Sequence, residues 1–340
     1  MKRIGRGALV AVLFLGLPSS AAGQSDPGEE VRFRLRTAVE LVVVPVTVKD
    51  SAGNLVTDLG REEFRLYENG VEQPIRYFSV DPFPLSAVIL LDRGLDRSAQ
   101  ASTHRTLEVL ANAFGPEDEF ALYTFDSYPR PVLPFTSEPA ELRAALQALP
   151  WDDAPPAPGL GSGPLEAGPR INQLPVGPRV PSTLPSTTGS VKAIHDALYA
   201  AGLALQDRER GRRRLVLILS DGLNSRLNVH SFEETRALLL EADVSVYAIG
   251  VGNARFALGT TVLRDYARAT GGDAYAPLEE DALARSYLRA SEQARHQYTL
   301  AYAAQPPRAG REFRRIEVRV ERRGVTWLAR EGYFAGVSLE

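Results

Sequence analysis

Between Ser86 and Ile249 the chain repeats one pattern, a short unbroken apolar run followed by a stretch of helical spacing. Ser86–Leu91 (SAVILL), Phe120–Phe125 (FALYTF), Leu215–Leu219 (LVLIL) and Val244–Ile249 (VSVYAI) read as strands buried on both faces. Helical spacing fills Ala99–Ala113, Glu138–Leu149, Val191–Leu205, Phe232–Ala242, Thr261–Ala269 and Asp281–Ala294. A further strand is predicted at Asp273–Ala276, and an edge strand around Pro131–Phe135. Strands of this kind, alternating with helices, are satisfied by a parallel sheet covered on both sides, with right-handed crossovers. The expected fold class is α/β, a doubly wound and mostly parallel sheet.

The two ends lack that rhythm. Ala38–Asp50 (AVELVVVPVTVKD) is β-branched throughout, Phe64–Tyr67 is a second short strand, and Glu68-Asn-Gly70 turns into a third that ends near Val80. After Gln297, strands are predicted at Tyr298–Tyr302, Glu312–Glu321 and Val325–Tyr333. Neither set of strands closes a core alone. The expectation is that segments 38–82 and 295–338 combine into one β-sandwich, with an α/β unit at 84–294 inserted between them; two separate β modules are the alternative. Asp152–Ser190, with nine prolines and six glycines, reads as a flexible insertion beside the sheet edge, either a tolerated linker or a lid.

The first 23 residues read as an address. Lys2, Arg3 and Arg6 precede the apolar run Ala8–Leu17 and a small-residue stretch ending at Gly23, the anatomy of a signal peptide cleaved near Ala22 or Gly23. The run is about half of the ~20 residues that a spanning helix needs. The expectation is an exported, soluble protein, periplasmic or secreted, with residues 24–37 as a linker and no stable membrane span after cleavage. Composition then narrows the chemistry. Cysteine is absent, which excludes disulfides, thiolate metal sites and thiol nucleophiles. A net charge of −3 supplies no field to recruit nucleic acid. The densest basic run, Arg208–Arg214, reads as a solvated connection, with a patch for an anionic glycan or lipid headgroup as the alternative. His195 has no nucleophile spaced to pair with it and reads as a packed or surface residue. Gly250-Val-Gly252 lacks the third glycine of a dinucleotide turn.

Ordered motifs carry a resemblance that covers almost everything after residue 23. VVPVTVKDSAGNLVTDLGREEFRLYENGVEQPIRYFS (43–79) is followed by AVILLDRGLD (87–96), GPEDEFALYTFD (115–126), HDALYAA (195–201), LVLILSDGLNS (215–225), VYAIGVG (246–252) and ATGGDAY (269–275). RHQYTLAYAAQ (295–305) and FRRIEVRVERRGVTWLAREGYFAG (313–336) close the series. Together they resemble the von Willebrand factor type A domain, within a secreted bacterial subfamily of the acidobacterial type. The resemblance implies a Rossmann-like binding module with a metal-ion-dependent adhesion site at the carboxyl ends of the strands. Such a site holds Mg²⁺, or Mn²⁺ or Ca²⁺, through an Asp-x-Ser-x-Ser turn, a threonine and a second aspartate. An open coordination position then accepts a carboxylate from a partner.

Against that pattern this chain departs. Asp92 and Asp221 match the two aspartates, while Gly94 and Asp96 stand at the serine positions and Lys192 at the threonine. The candidate metal residues are therefore Asp92, Asp96 and Asp221, a degenerate set in which the Lys192 ammonium can occupy the position of the cation. A shifted loop offering Thr187, Thr188 or Ser190 as the hydroxyl ligand is the rival. The functional expectation is a non-enzymatic protein that binds a protein or cell-surface ligand. An envelope hydrolase using a carboxylate-bound metal, and a purely architectural module with a decayed site, are the alternatives.

Overall fold

The computed structural model describes residues 41–150, 170–171, 174–175, 192–209, 211–252, 261–306 and 310–336. The signal-peptide and linker readings at 1–37, and nearly all of the 152–190 insertion, lie outside the described residues.

The α/β unit is the doubly wound sheet that the strand–helix rhythm predicts. Its strands are β5 (Leu85–Asp92), β6 (Glu119–Phe125), β7 (Pro129–Thr136), β10 (Arg213–Ser220), β11 (Val244–Gly250) and β12 (Ala274–Tyr275). They stand in the order β12-β11-β10-β5-β6-β7, all parallel except β7, which runs antiparallel at the edge. Every residue of β5 is buried, because its alternate side chains enter two different cores. Leu85, Ala87, Ile89 and Leu91 pack on one side with α1 (Arg97–Ala111), α2 (Pro139–Gln147) and α6 (Glu280–Arg295). Val88 and Leu90 pack on the other with α3 (Ile194–Gln206), α4 (Phe232–Glu241) and α5 (Thr261–Thr270). That two-sided burial is the reason for the unbroken apolar runs. Residues 170–171 and 174–175 pair antiparallel as the short strands β8 and β9.

The ends of the chain do interleave. β1 (Leu41–Asp50) lies between β13 (Tyr298–Ala303) and β15 (Val325–Ala329), with β4 (Tyr77–Ser79) beyond β13. The facing sheet runs β16-β14-β2-β3, from Gly332–Ala335, Glu312–Val320, Phe64–Glu68 and Val71–Gln73. Val42, Val44, Val46 and Val48 alternate inward from β1 against Phe64, Leu66, Tyr302, Ile316 and Val318, giving one shared core.

Two sequence expectations are corrected here. The strand predicted up to Val80 divides at Pro74 into β3 and β4, one in each sheet, because proline has no N–H to continue a ladder. The strand predicted at Val325–Tyr333 likewise divides into β15 and β16, which join opposite sheets. The second corner falls at Arg330–Glu331, and β16 then starts at Gly332, where a Cβ would stand 2.3 Å from the Arg314 carbonyl oxygen.

The basic run is a third correction. Arg214 is buried and Arg213 half-buried. Arg213 Nη2 donates to Gln297 O and Thr299 Oγ1, each at 2.9 Å, and Arg214 Nη1 donates to Ala242 O at 3.0 Å. Other polar links also join the α/β unit to the sandwich. Arg330, next to β15, bonds Asp243 Oδ1 and Val43 O, both at 2.5 Å, and Lys49 Nζ reaches Asp273 Oδ2 at 2.6 Å.

Backbone crowding between the turn after α5 and β11 makes a prediction. A Cβ on Gly272 would lie 2.0 Å from Val246 O, whereas one on Gly53, at φ +83°, meets nothing within 4 Å. Gly53→Ala should cost only the left-handed backbone penalty of about 1–2 kcal/mol. Gly272→Ala should reach or exceed the top of the ~1–3 kcal/mol overpacking range. Urea midpoints with unchanged m-values check this, and equal losses for the two variants would refute it.

Candidate functional site

The carboxyl ends of β5 and β10 place two aspartates side by side. Asp92 is the last residue of β5 and is only 1% exposed. Its Oδ1 accepts from Gly94 N at 2.7 Å, closing a tight turn, and its Oδ2 accepts from Ser220 Oγ at 2.6 Å. Asp221 follows β10 directly, and its Oδ1 accepts from Leu223 N at 3.0 Å. Adjacent parallel strands in register bring these residues together although 129 positions separate them in the chain.

Lys192 supplies the charge that makes this arrangement tenable. Its Nζ lies 2.6 Å from Asp221 Oδ2 and 3.2 Å from Asp92 Oδ2, and the side chain is 2% exposed. The backbone on either side of it is pinned from two directions: Ala193 N donates to Asp126 O at 2.7 Å, and Lys192 O accepts from Ser225 N at 2.8 Å. The ammonium is thus held by the end of β6 and by the loop after β10. Burial pushes the Asp92 carboxyl up to about 6, opposed by the Lys192 charge and reinforced by the nearby Asp221.

Asp96 corrects the sequence reading. It does not join the other two carboxylates but caps α1, its Oδ1 accepting from Ala99 N at 2.9 Å, and it faces solvent. An aspartate just before a helix fills the vacant hydrogen bond of the first turn, which is an ordinary N-cap role. Gly94 contributes only its backbone N–H. The rival hydroxyls at Thr187, Thr188 and Ser190 lie outside the described residues. No group of three or more histidine, aspartate or glutamate side chains suited to a metal ion occurs among the described residues.

Several polar residues that the sequence reading passed over shape the surroundings. Asn228 Oδ1 accepts from the backbone N–H groups of His195 and Asp196 at 2.9 and 3.3 Å, and Asn224 Oδ1 accepts from Ile194 N at 3.1 Å. These two side chains cap α3 from the loop after β10. In return, Asp196 accepts from Val229 N and His230 N at 2.9 and 2.8 Å, and the His230 ring stacks on Tyr199 at 3.6 Å. His195 is half-buried, with Nε2 2.8 Å from Asn224 Nδ2 and Nδ1 2.7 Å from Tyr266 Oη. Asn224 Oδ1 is taken by Asn228 Nδ2, so Asn224 donates to the ring and the proton sits on Nδ1. His195 is therefore a packed, hydrogen-bonded residue, as expected. The signal for the asparagines is an i, i+4 pair in a Gly/Asn/Ser loop, too common a composition to single out.

Two predictions follow from this geometry. Lys192→Met strands two carboxylates in a buried site and should lower stability by about 3–5 kcal/mol, read from chemical denaturation; a loss under 1 kcal/mol would refute the bridging role. Burial holds the His195 imidazole below its ordinary value of 6.5. Its neutral state then favours the fold at and above neutrality, and that contribution is lost as the pH falls below about 6.5, where the unfolded chain takes up the proton first. An NMR titration should show His195 remaining neutral after an exposed imidazole has charged, and a normal midpoint would refute the assignment.

No family model matches the chain, and no curated protein does. Solved structures do resemble it. A von Willebrand factor type A protein from Catenulispora acidiphila is 10% identical, over 88% of this chain and 75% of that one, with a TM-score of 0.44. An aerotolerance-related membrane protein from Bacteroides fragilis is 13% identical, over 62% and 99%, at 0.42. Proximal thread matrix protein 1 from the mussel byssus, solved with a zinc-occupied MIDAS motif, is 19% identical, over 68% of this chain and half of its own length, at 0.44. The strand order, the single antiparallel edge strand and the aspartates at the end of β5 and just after β10 give this α/β unit the doubly wound architecture that the sequence resemblance implies.

Proposed function

We propose that this chain is an exported, non-enzymatic binding protein whose type A unit meets a protein or cell-surface ligand at the carboxyl edge of its sheet, with Lys192 standing where related sites hold a divalent cation. The observation that carries this reading is the Lys192 ammonium lying between Asp92 and Asp221. A hard divalent ion needs about six oxygen ligands in a regular shell. Here the converging carboxylate oxygens already face an ammonium, Gly94 has no side-chain donor, and Asp96 is committed to a helix cap. The donor set fits a tethered cation better than a free one. Export rests on the signal-like pattern of residues 1–23 alone; among the described residues no helix is long and apolar enough to cross a membrane.

Binding is favoured over catalysis by accessibility. Asp92 and Lys192 are buried, and both Asp92 oxygens are engaged by Ser220, Gly94 and Lys192, so neither group reaches a substrate as acid, base or nucleophile. The adjoining loop does present a surface. Leu223, Leu227 and Val229 are 51%, 72% and 84% exposed, on a backbone tied to α3 by Asn224, Asn228 and Asp196. Rigidly presented apolar side chains reduce the ordering cost of association.

Thermal unfolding in EDTA and in millimolar Mg²⁺, Mn²⁺ or Ca²⁺, for the natural chain and for Lys192→Thr, tests the reading. The natural chain should unfold at the same temperature in each, while Lys192→Thr should be destabilised in EDTA and recover with metal. A cation at 100 times its dissociation constant adds about 2.7 kcal/mol. A metal-dependent rise in the natural chain would overturn the tethered-cation reading and make Asp92 and Asp221 working ligands.

A further inference from the structure

At the opposite end of the sheet, where β10 and β11 begin, the α/β unit and the sandwich enclose a cleft of about 480 Å³. It lies roughly 25 Å from the Lys192 site, the length of the eight-residue strand β10 at about 3.3 Å per residue. Its volume falls within the range of small-molecule sites. One wall is apolar: Leu41, Val43 and Pro45 from β1 and Phe334 from β16 line it, with Leu41 54% and Val43 42% exposed. Outward apolar residues on β1 are not needed for the sandwich core, which takes the alternate valines.

The cationic groups of the cleft are unequally matched. Arg330 pairs with Asp243, Arg212 with Glu209, and Glu241 with Arg311. Both carboxylates that line the cleft, Glu241 and Asp243, thus already face a guanidinium. Arg213 has no carboxylate partner among the described residues. Its hydrogen bonds to Gln297 O and Thr299 Oγ1 both run through Nη2, its Nε is buried with no acceptor, and its guanidinium lies 4.9 Å from the Phe83 ring centre. A partly buried cation whose counter-charge is missing favours any anion that can reach it. Arg214, also in the lining, donates to Ala242 O and Arg208 O. The Arg213 guanidinium therefore calls for an anion, its planar form matches a carboxylate, and the β1 wall calls for a hydrocarbon.

We propose that this cleft binds a small monocarboxylate with an apolar chain, its carboxylate on Arg213 and its chain along Leu41, Val43 and Phe334. Desolvation already holds Arg213 down to about 10, in keeping with a charge that lacks its partner. The site is independent of Lys192 and of any ligand at the carboxyl edge.

Isothermal titration of the full chain with sodium decanoate tests this, with sodium acetate and 1-decanol as probes that lack the tail or the charge. Decanoate should bind saturably at one per chain, and both controls at least tenfold more weakly. Arg213→Gln should weaken decanoate at least tenfold. Val43→Asp, a change at an exposed position that leaves the Arg213 contacts intact, should do the same by placing a competing carboxylate on the apolar wall. Absence of saturable decanoate binding, equal binding of either control, or unchanged binding by Arg213→Gln would overturn the proposal. If Arg213→Gln does not fold, Val43→Asp decides: decanoate affinity kept within twofold refutes the site, and a tenfold loss supports it.

Discussion

A single ammonium bridging two buried carboxylates is the constraint around which the upper half of the α/β unit is arranged. Asp92 and Asp221 are brought together by the register of β5 and β10, and the Lys192 charge opposes the desolvation of the Asp92 carboxyl there. Lys192 meets that need only because its backbone is clamped between the Asp126 carbonyl and Ser225. The start of α3, the turn after β5 and the loop after β10 are thereby tied to one electrostatic centre. Removing one member of such a set costs far more than the set contributes, because the others are left charged and unpaired.

A different chemistry holds the lower half. Where the sandwich meets the α/β unit, arginine and glutamine side chains supply hydrogen bonds to backbone carbonyls and hydroxyls across the junction. Arg213 Nη2 donates to Gln297 O and Thr299 Oγ1, Arg330 reaches both Asp243 and Val43 O, and Gln297 touches Thr47 Oγ1 at 3.1 Å. The planar guanidinium suits this work, since its several fixed donors satisfy carbonyls on separate elements at once. A chain with 39 basic residues and only three lysines has therefore placed nearly all of its positive charge in the form best able to serve such a junction.

The two ends of the sheet thus treat buried charge in opposite ways. At the carboxyl end each of these buried charges has a partner of opposite sign inside the protein, which leaves binding there to shape and to the apolar side chains of the 222–230 loop. At the amino end Arg213 is unbalanced beside an apolar wall, which is the physical basis for a second, chemically distinct site.

Most of the α/β order was legible in the sequence, because strands buried on both faces must be apolar without interruption and helices between them must be amphipathic. Asp92, Asp221 and Lys192 could be named from motif positions alone. Beyond that, local sequence says nothing about which partner a side chain will find. Asp96 looks like a third ligand in the sequence and is a helix cap in the fold, because an aspartate before a helix satisfies a local N–H regardless of distant carboxylates. Arg213 and Arg214 look like a solvated run, yet Arg214 is buried and Arg213 half-buried, because their partners come from segments distant in the chain, Ala242 for Arg214 and Gln297 and Thr299 for Arg213. The splits at Pro74 and Arg330–Glu331 depend on which sheet receives each half. The sequence by itself determined the alternation, the strand faces and the identity of the charged residues, all of which follow from local periodicity. Only the tertiary structure decided the pairings of those charges, since the free energy of a buried charge depends on what else is buried within a few ångströms of it.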